Sequence, residues 1–233
     1  MSPEKSHIPF FGNYNDRACA QCVYRMALES FFPDKKRTWA EMDEFCGAVP
    51  GKYTWPYKPI LNLADMGLDL VVYNTFDSER FLDSPEEYMI ERYGIEGAKN
   101  QIENSDMDSV LVQARQFLDY RNHKKILTIT DHHTPAIAKD FLNKGFLVAP
   151  WVNLGKLNGR EGVAGHIILI HDYKDGHFIA HDPGENEPDG RPLNQHQNRR
   201  ISEEKYLEIC CPKEFGKTNF LIAIRKPFAG GRA

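Results

Sequence analysis

The sequence predicts an α+β fold in which helices come first and a mainly antiparallel sheet follows. Three observations carry this expectation. Apolar residues recur at helical spacing before about residue 145, and short β-rich runs separated by turn residues fill the chain after Gly162. The 233 residues, 41% apolar and 27% charged with both signs interspersed, have ordinary globular composition and enough length for a sizeable core. One domain is expected over 1–233, with a helical lobe at about 15–145, a β-rich lobe at about 146–228 and a cleft between them.

The first helix is expected from about Arg17 to Phe32, because Val23, Met26, Ala27 and Phe31 share one face, Asn15 or Asp16 can cap it and Pro33 closes it. "TWAEMDEFCG" reads as a second helix capped by Thr38 and ended by Gly47. A third runs from about Tyr57 to Met66, and the β-branched "LDLVVYNT" follows as a strand. Residues 77–122 read as two or three helices separated by the Gly94 to Asp108 stretch. Then come "KKILTIT" as a strand, "HTPAIAKDFLNKG" as a helix stopped by Gly145, and "FLVAPWVN" as a strand. "GHIILIHDY", "GHFIAHDP" and "TNFLIAIRKP" complete the sheet, with turns at "KDG" and "PGENEPDG" and a frayed "GGRA" tail.

The net charge of −4 makes no electrostatic case for a nucleic-acid partner, and Lys35-Lys36-Arg37 and Arg199-Arg200 read as solvated faces. No apolar run approaches a spanning helix, and the N-terminus lacks a signal-peptide core, so no membrane association and a cytoplasmic location are expected. Five cysteines is an odd, low count, which argues against a disulfide framework and leaves at least one free thiol.

The chemistry gathers at the two ends of the chain. Cys19 stands at the front of the first helix, where unpaired amides and the helix dipole favour a thiolate. Cys22, one turn on, faces the packing side with Met26 and reads as a small buried hydrophobe. A nucleophilic thiol needs a base, and the base needs an acceptor that fixes its tautomer. His166 opens one late strand and Asp182 closes the next, so the turn between them can bring the two together as cross-strand neighbours. His171, His177 and His181 lie in the same stretch and read as surface or structural.

Together, "CAQCVYRM", "GHIILIHDY" and "HDPG" resemble the papain-like bacteriocin-processing (double-glycine leader) peptidase family. "NRRISEEKYLEIC" with "KTNFLIAIRKP" resembles that family's closing helix and strand, and residues 35–145 match as a helical lobe. The resemblance implies a papain-like cysteine peptidase fold with Cys19 as nucleophile, since Met26 stands seven positions on as in the family pattern. His166 then matches the base and Asp182 its orienting acid. Asn13 occupies the place of the family's oxyanion-hole glutamine, one methylene shorter but still a donor, and Ala20 replaces the usual glycine after the cysteine.

The implied function is a thiol-dependent hydrolase that cleaves a peptide or amide bond through a thioester. An acyltransferase using the same thioester and a non-catalytic binding module of the same fold are the alternatives. The expected partner is a peptide, amide or small amine-containing substrate, with no cofactor and no metal. No nucleotide-binding loop or transporter domain is expected. Two rival readings of the cysteines carry less: a zinc site of Cys19, Cys22, Cys210 and Cys211 lacks a spacer between the last pair, and a Cys-x-x-Cys redox pair lacks a preceding strand. "TWPYKPI" reads as packing before cleft wall.

Overall fold

The computed structural model describes residues 8–15, 17–123, 126–184, 196–210 and 219–227. Its first helix, α1 (Cys19–Phe31), begins two residues later than expected, with Ala18 and not Asn15 at the cap position. Asn15 instead accepts from the Arg17 amide in the turn before the helix, and Asp16 lies outside the described residues. Val23, Met26 and Ala27 are fully buried along one face, and each such side chain stabilises the fold by roughly 1.5–3 kcal/mol if large. α2 (Trp39–Cys46) carries a complete capping box between Thr38 and Glu41 and ends at Gly47 in the left-handed region. α3 spans Tyr57–Asp65.

β1 (Asp69–Asn74) leads to α4 (Ser78–Asp83), α5 (Pro85–Glu103) and α6 (Met107–Asn122). The expected separation at 94–108 is much shorter. Gly94 alone kinks α5 with a φ of 73°, and the helix resumes as far as Glu103. Trp55 stacks with Tyr57 and Phe81, so "TWPYKPI" is packing, as expected.

β2 (Leu127–Ile129), α7 (Pro135–Asn143) and β3 (Leu147–Asn153) follow, then the short α8 (Leu154–Leu157), which was not anticipated. β4 (Gly165–Ile167), β5 (Leu169–Lys174) and β6 (His177–His181) follow in turn. The β5–β6 turn uses Asp175 and Gly176, both at positive φ, as the Asp-Gly dipeptide favours. β7 (Arg199–Ser202), α9 (Glu203–Cys210) and β8 (Phe220–Arg225) complete the described chain. Most of "PGENEPDG" and the "GGRA" tail lie outside the described residues.

Among the described residues these strands form one mixed sheet ordered β2-β1-β8-β3-β5-β6-β7, with β4 on β3. The fold is therefore α+β, but helices and strands are not divided into successive lobes. β1 and β2, from the expected helical lobe, pair in parallel and join the sheet. The last strand lies between β1 and β3, because Phe220–Ile224 is buried at every position and only a central strand hides both its faces. α1–α6 cover one face over Leu70, Val72, Ile222 and Leu169, while α7–α9 cover the other over Val148, Ile170, Phe178 and Leu221. No helix among the described residues is long and apolar enough to cross a membrane.

Candidate active site

The site lies where the front of α1 meets the ends of β4 and β6. β4 and β5 run along β3 in one register but part at Ile168, opposite Pro150. Pro150 has no N–H for that rung, and the Ile168 amide reaches its carbonyl at a long 3.5 Å. β4 so continues alone on β3, with His166 paired to Val152. His166 and Asp182 are consequently not ladder partners, as the turn alone had implied. The β5–β6 ladder ends at Leu169 and His181, and the two side chains meet beyond it.

They meet closely. His166 Nε2 lies 2.6 Å from Asp182 Oδ1, with both side chains buried. That bond leaves the ring's other nitrogen, and the imidazole and the Cys19 thiol lie close enough for each to shift the other's titration. Burial pushes the Cys19 thiol up, but His166 and the Ile167 and Ala20 amides outweigh it and hold the thiol below its ordinary value. Burial likewise works against an imidazolium at His166. Hydrogen bonds to Asp182 and Cys19 reverse that and raise the group well above the usual histidine range. Asp182, whose burial favours the neutral acid, is held below the usual carboxylate range chiefly by His166. All three shifts favour a thiolate–imidazolium–carboxylate series at neutral pH.

α1 serves this thiol by what its cap lacks. No side chain caps it at Ala18, so the first-turn amides are not taken by a cap carboxylate or hydroxyl, and the Ala20 amide helps to lower the thiol. Asn13 instead anchors the approach to the helix. Its Oδ1 accepts from the Ala18 amide at 3.0 Å, and its own amide donates to the Pro183 carbonyl. Among the described residues no hydrogen bond engages its Nδ2, and the carboxamide is buried and held by its oxygen.

Cys22 donates its thiol to the Gly12 carbonyl, and burial pushes both it and Cys46 up. Cys210 belongs to the core on the opposite face of the sheet from α1, and Cys211 lies outside the described residues, so the four-cysteine set does not converge. His181 is structural: it bonds the Ile8 carbonyl and the Asn198 amide and so tethers the N-terminal segment that carries Asn13.

Two contributors escaped sequence reasoning. Arg199, read as part of a solvated pair, places Nη1 2.8 Å from Asp182 Oδ2. Gly184 donates its amide to Asp182 Oδ1 from a φ of 62°, and a Cβ there would collide with the His196 ring. Gly184→Ala is expected to destabilise the fold by at least about 2 kcal/mol. For a chain of this size that is a thermal midpoint lower by roughly 4–8 °C, read by calorimetry.

The fold and side chains thus define an α+β protein in which a half-buried cysteine at a helix start stands by a buried, hydrogen-bonded histidine–aspartate pair. No protein-family model and no curated protein matches the chain. Among solved structures it is similar to the peptidase domain of Streptococcus ComA, a bi-functional ABC transporter involved in a quorum-sensing pathway, with 10% identity and a TM-score of 0.42 over 95% of this chain and 100% of that one. The likeness is loose, and the roles argued below come from the contacts of the side chains themselves.

Proposed function

We propose that the protein is a thiol-dependent hydrolase of peptide or amide bonds, with Cys19 as nucleophile. The observation that supports this most is the buried pair in which Asp182 holds Nε2 of His166 at 2.6 Å, with the imidazole lowering the Cys19 thiol at the front of α1. In this reading the Cys19 thiolate attacks the carbonyl carbon, and the oxyanion is received by the Cys19 amide and Asn13 Nδ2. The His166 imidazolium gives its proton to the leaving amine as the carbon–nitrogen bond breaks, which leaves a thioester and a neutral ring. His166 then takes a proton from water, and the hydroxide displaces the thiolate. Asp182 stays ionised throughout and steadies the imidazolium.

The test is a single-turnover incubation with a pool of activated peptidyl esters, followed by intact-mass and peptide mapping. An acyl adduct on Cys19 that decays in water is expected; no adduct on a Cys19 that still alkylates would overturn the reading. Faster decay on addition of a primary amine would make the protein an acyltransferase.

Asn13 yields a separate prediction. Asn13→Ala should lower the acylation rate by ~10²–10³, the usual loss of one oxyanion donor. Because Oδ1 also holds the Ala18 amide, stability should fall by about 1 kcal/mol. Stopped-flow acylation and a denaturant titration separate the two effects, and unchanged acylation would reduce Asn13 to a turn residue.

A further inference from the structure

Asp182 is fully buried, yet its second oxygen does not face His166. Oδ1 serves His166 Nε2 and the Gly184 amide, while Oδ2 receives the Arg199 guanidinium at 2.8 Å. Arg199 is itself clamped. Nη1 also donates to Asn158 Oδ1 at 2.8 Å, and Nη2 donates to the Leu157 carbonyl at the end of α8. Its backbone position is set by β7, where it pairs with Ala180 two residues before Asp182. A fork held at three acceptors from two elements has a fixed place, which a solvated arginine does not.

We infer that Arg199 is a positioning residue that closes a buried chain of alternating charge, Cys19 thiolate, His166 imidazolium, Asp182 carboxylate and Arg199 guanidinium, and keeps that chain net neutral. The inference rests on the reading of Cys19 as nucleophile. Three alternating charges ending in a carboxylate would leave one uncompensated negative charge in a desolvated site, which opposes the thiolate. The fourth charge cancels it from the far end, and its side chain is 22% exposed, so its own desolvation is partial. The role is also geometric: the guanidinium engages Oδ2 and leaves Oδ1 to the imidazole.

The groups that face this chain are few. Asp182 meets His166 from β4, Arg199 from β7 and His196 Nδ1 at 4.0 Å from Oδ2. Cys19 meets His166, the Ile167 and Ala20 amides, and electrostatically Cys22, Tyr24 and Cys46, all three of which burial keeps neutral. Removing the Arg199 charge leaves the Asp182 carboxylate facing only His166 and, at 4.0 Å, His196, so His166 and Cys19 both feel more of its negative charge. Loss of a positive neighbour raises both groups, so the pH range of the thiolate–imidazolium pair slides upward as a whole. A residue that only steadied the Asp182 side chain would act differently. Its loss would weaken the imidazolium and narrow the range from its alkaline side.

The experiment is the pH dependence of iodoacetamide alkylation at Cys19, followed by peptide mapping in the full chain, which needs no substrate. In Arg199→Gln the acid limb should move up by roughly half a unit to one unit, and the second step, where the imidazolium loses its proton beside a thiolate that still alkylates, should move up with it. In Arg199→Lys, which keeps the charge and loses the fork, the acid limb should stay within about 0.2 unit of wild type. An unmoved acid limb in a folded Arg199→Gln protein overturns the inference, as does a narrowed range. Should Arg199→Gln fail to fold, Arg199→Lys decides: an acid limb raised by half a unit or more overturns it. A wild-type Cys19 that titrates like an ordinary thiol would instead sink the nucleophile reading, so the two failures are distinguishable.

Discussion

Cys19→Ala is expected to lower single-turnover acylation and any steady-state turnover by about 10⁶-fold, the scale on which removal of a covalent nucleophile acts. What survives should come from binding and the oxyanion donors alone. The fold should persist, because Cys19 is only partly buried and the core below it is built by Val23, Met26 and Ala27. Turnover on a purified substrate and circular dichroism of the same sample check both halves. Cys22→Ala, by contrast, should leave chemistry intact and cost only packing and the thiol's bond to the Gly12 carbonyl.

His166→Ala should lower turnover by roughly 10³–10⁴-fold, since in the proposed mechanism one ring both activates the thiol and protonates the leaving group. Its pH dependence has a definite sign. In the wild type the thiol is held below its ordinary value and the imidazolium persists above its ordinary value, so both shifts widen the pH range of an ion pair between them. Without His166 the same burial acts on Cys19 with only the Ile167 and Ala20 amides against it, so the acid limb must move upward. A limb that stayed in place would show that the helix terminus alone activates the thiol.

Local motifs made most of this site legible. Cys19 could be read from a thiol at the front of an apolar-periodic segment, and His166 with Asp182 from two strands joined by an Asp-Gly turn. The manner of their meeting was hidden, because the break at Ile168 depends on Pro150 in a strand that pairs from elsewhere in the chain. The start of α1 was misplaced for a related reason. The oxygen that satisfies the Ala18 amide comes from Asn13, outside the usual capping positions.

Arg199 was the least legible. "RRIS" is too short and too charged to read as a strand, and only its pairing with β6 carries the guanidinium to a carboxylate seventeen residues away. The places of β1, β2 and β8 in the sheet were hidden for the same reason. A strand's apolar run says that both its faces are buried, not which strands lie beside it, and β8 is inserted between β1 and β3 by long-range pairing.

The central claim is that His166 makes Cys19 a nucleophile at neutral pH. The most direct measurement is competitive alkylation of the native protein by limiting iodoacetamide at pH 6, with site-by-site mapping in wild type and His166→Ala. In the wild type Cys19 should be modified at least roughly 30-fold faster than Cys22, Cys46 or Cys210, and most of that advantage should vanish in His166→Ala. Preferential modification of Cys22 or Cys46, or a Cys19 rate unchanged by the loss of His166, would contradict it.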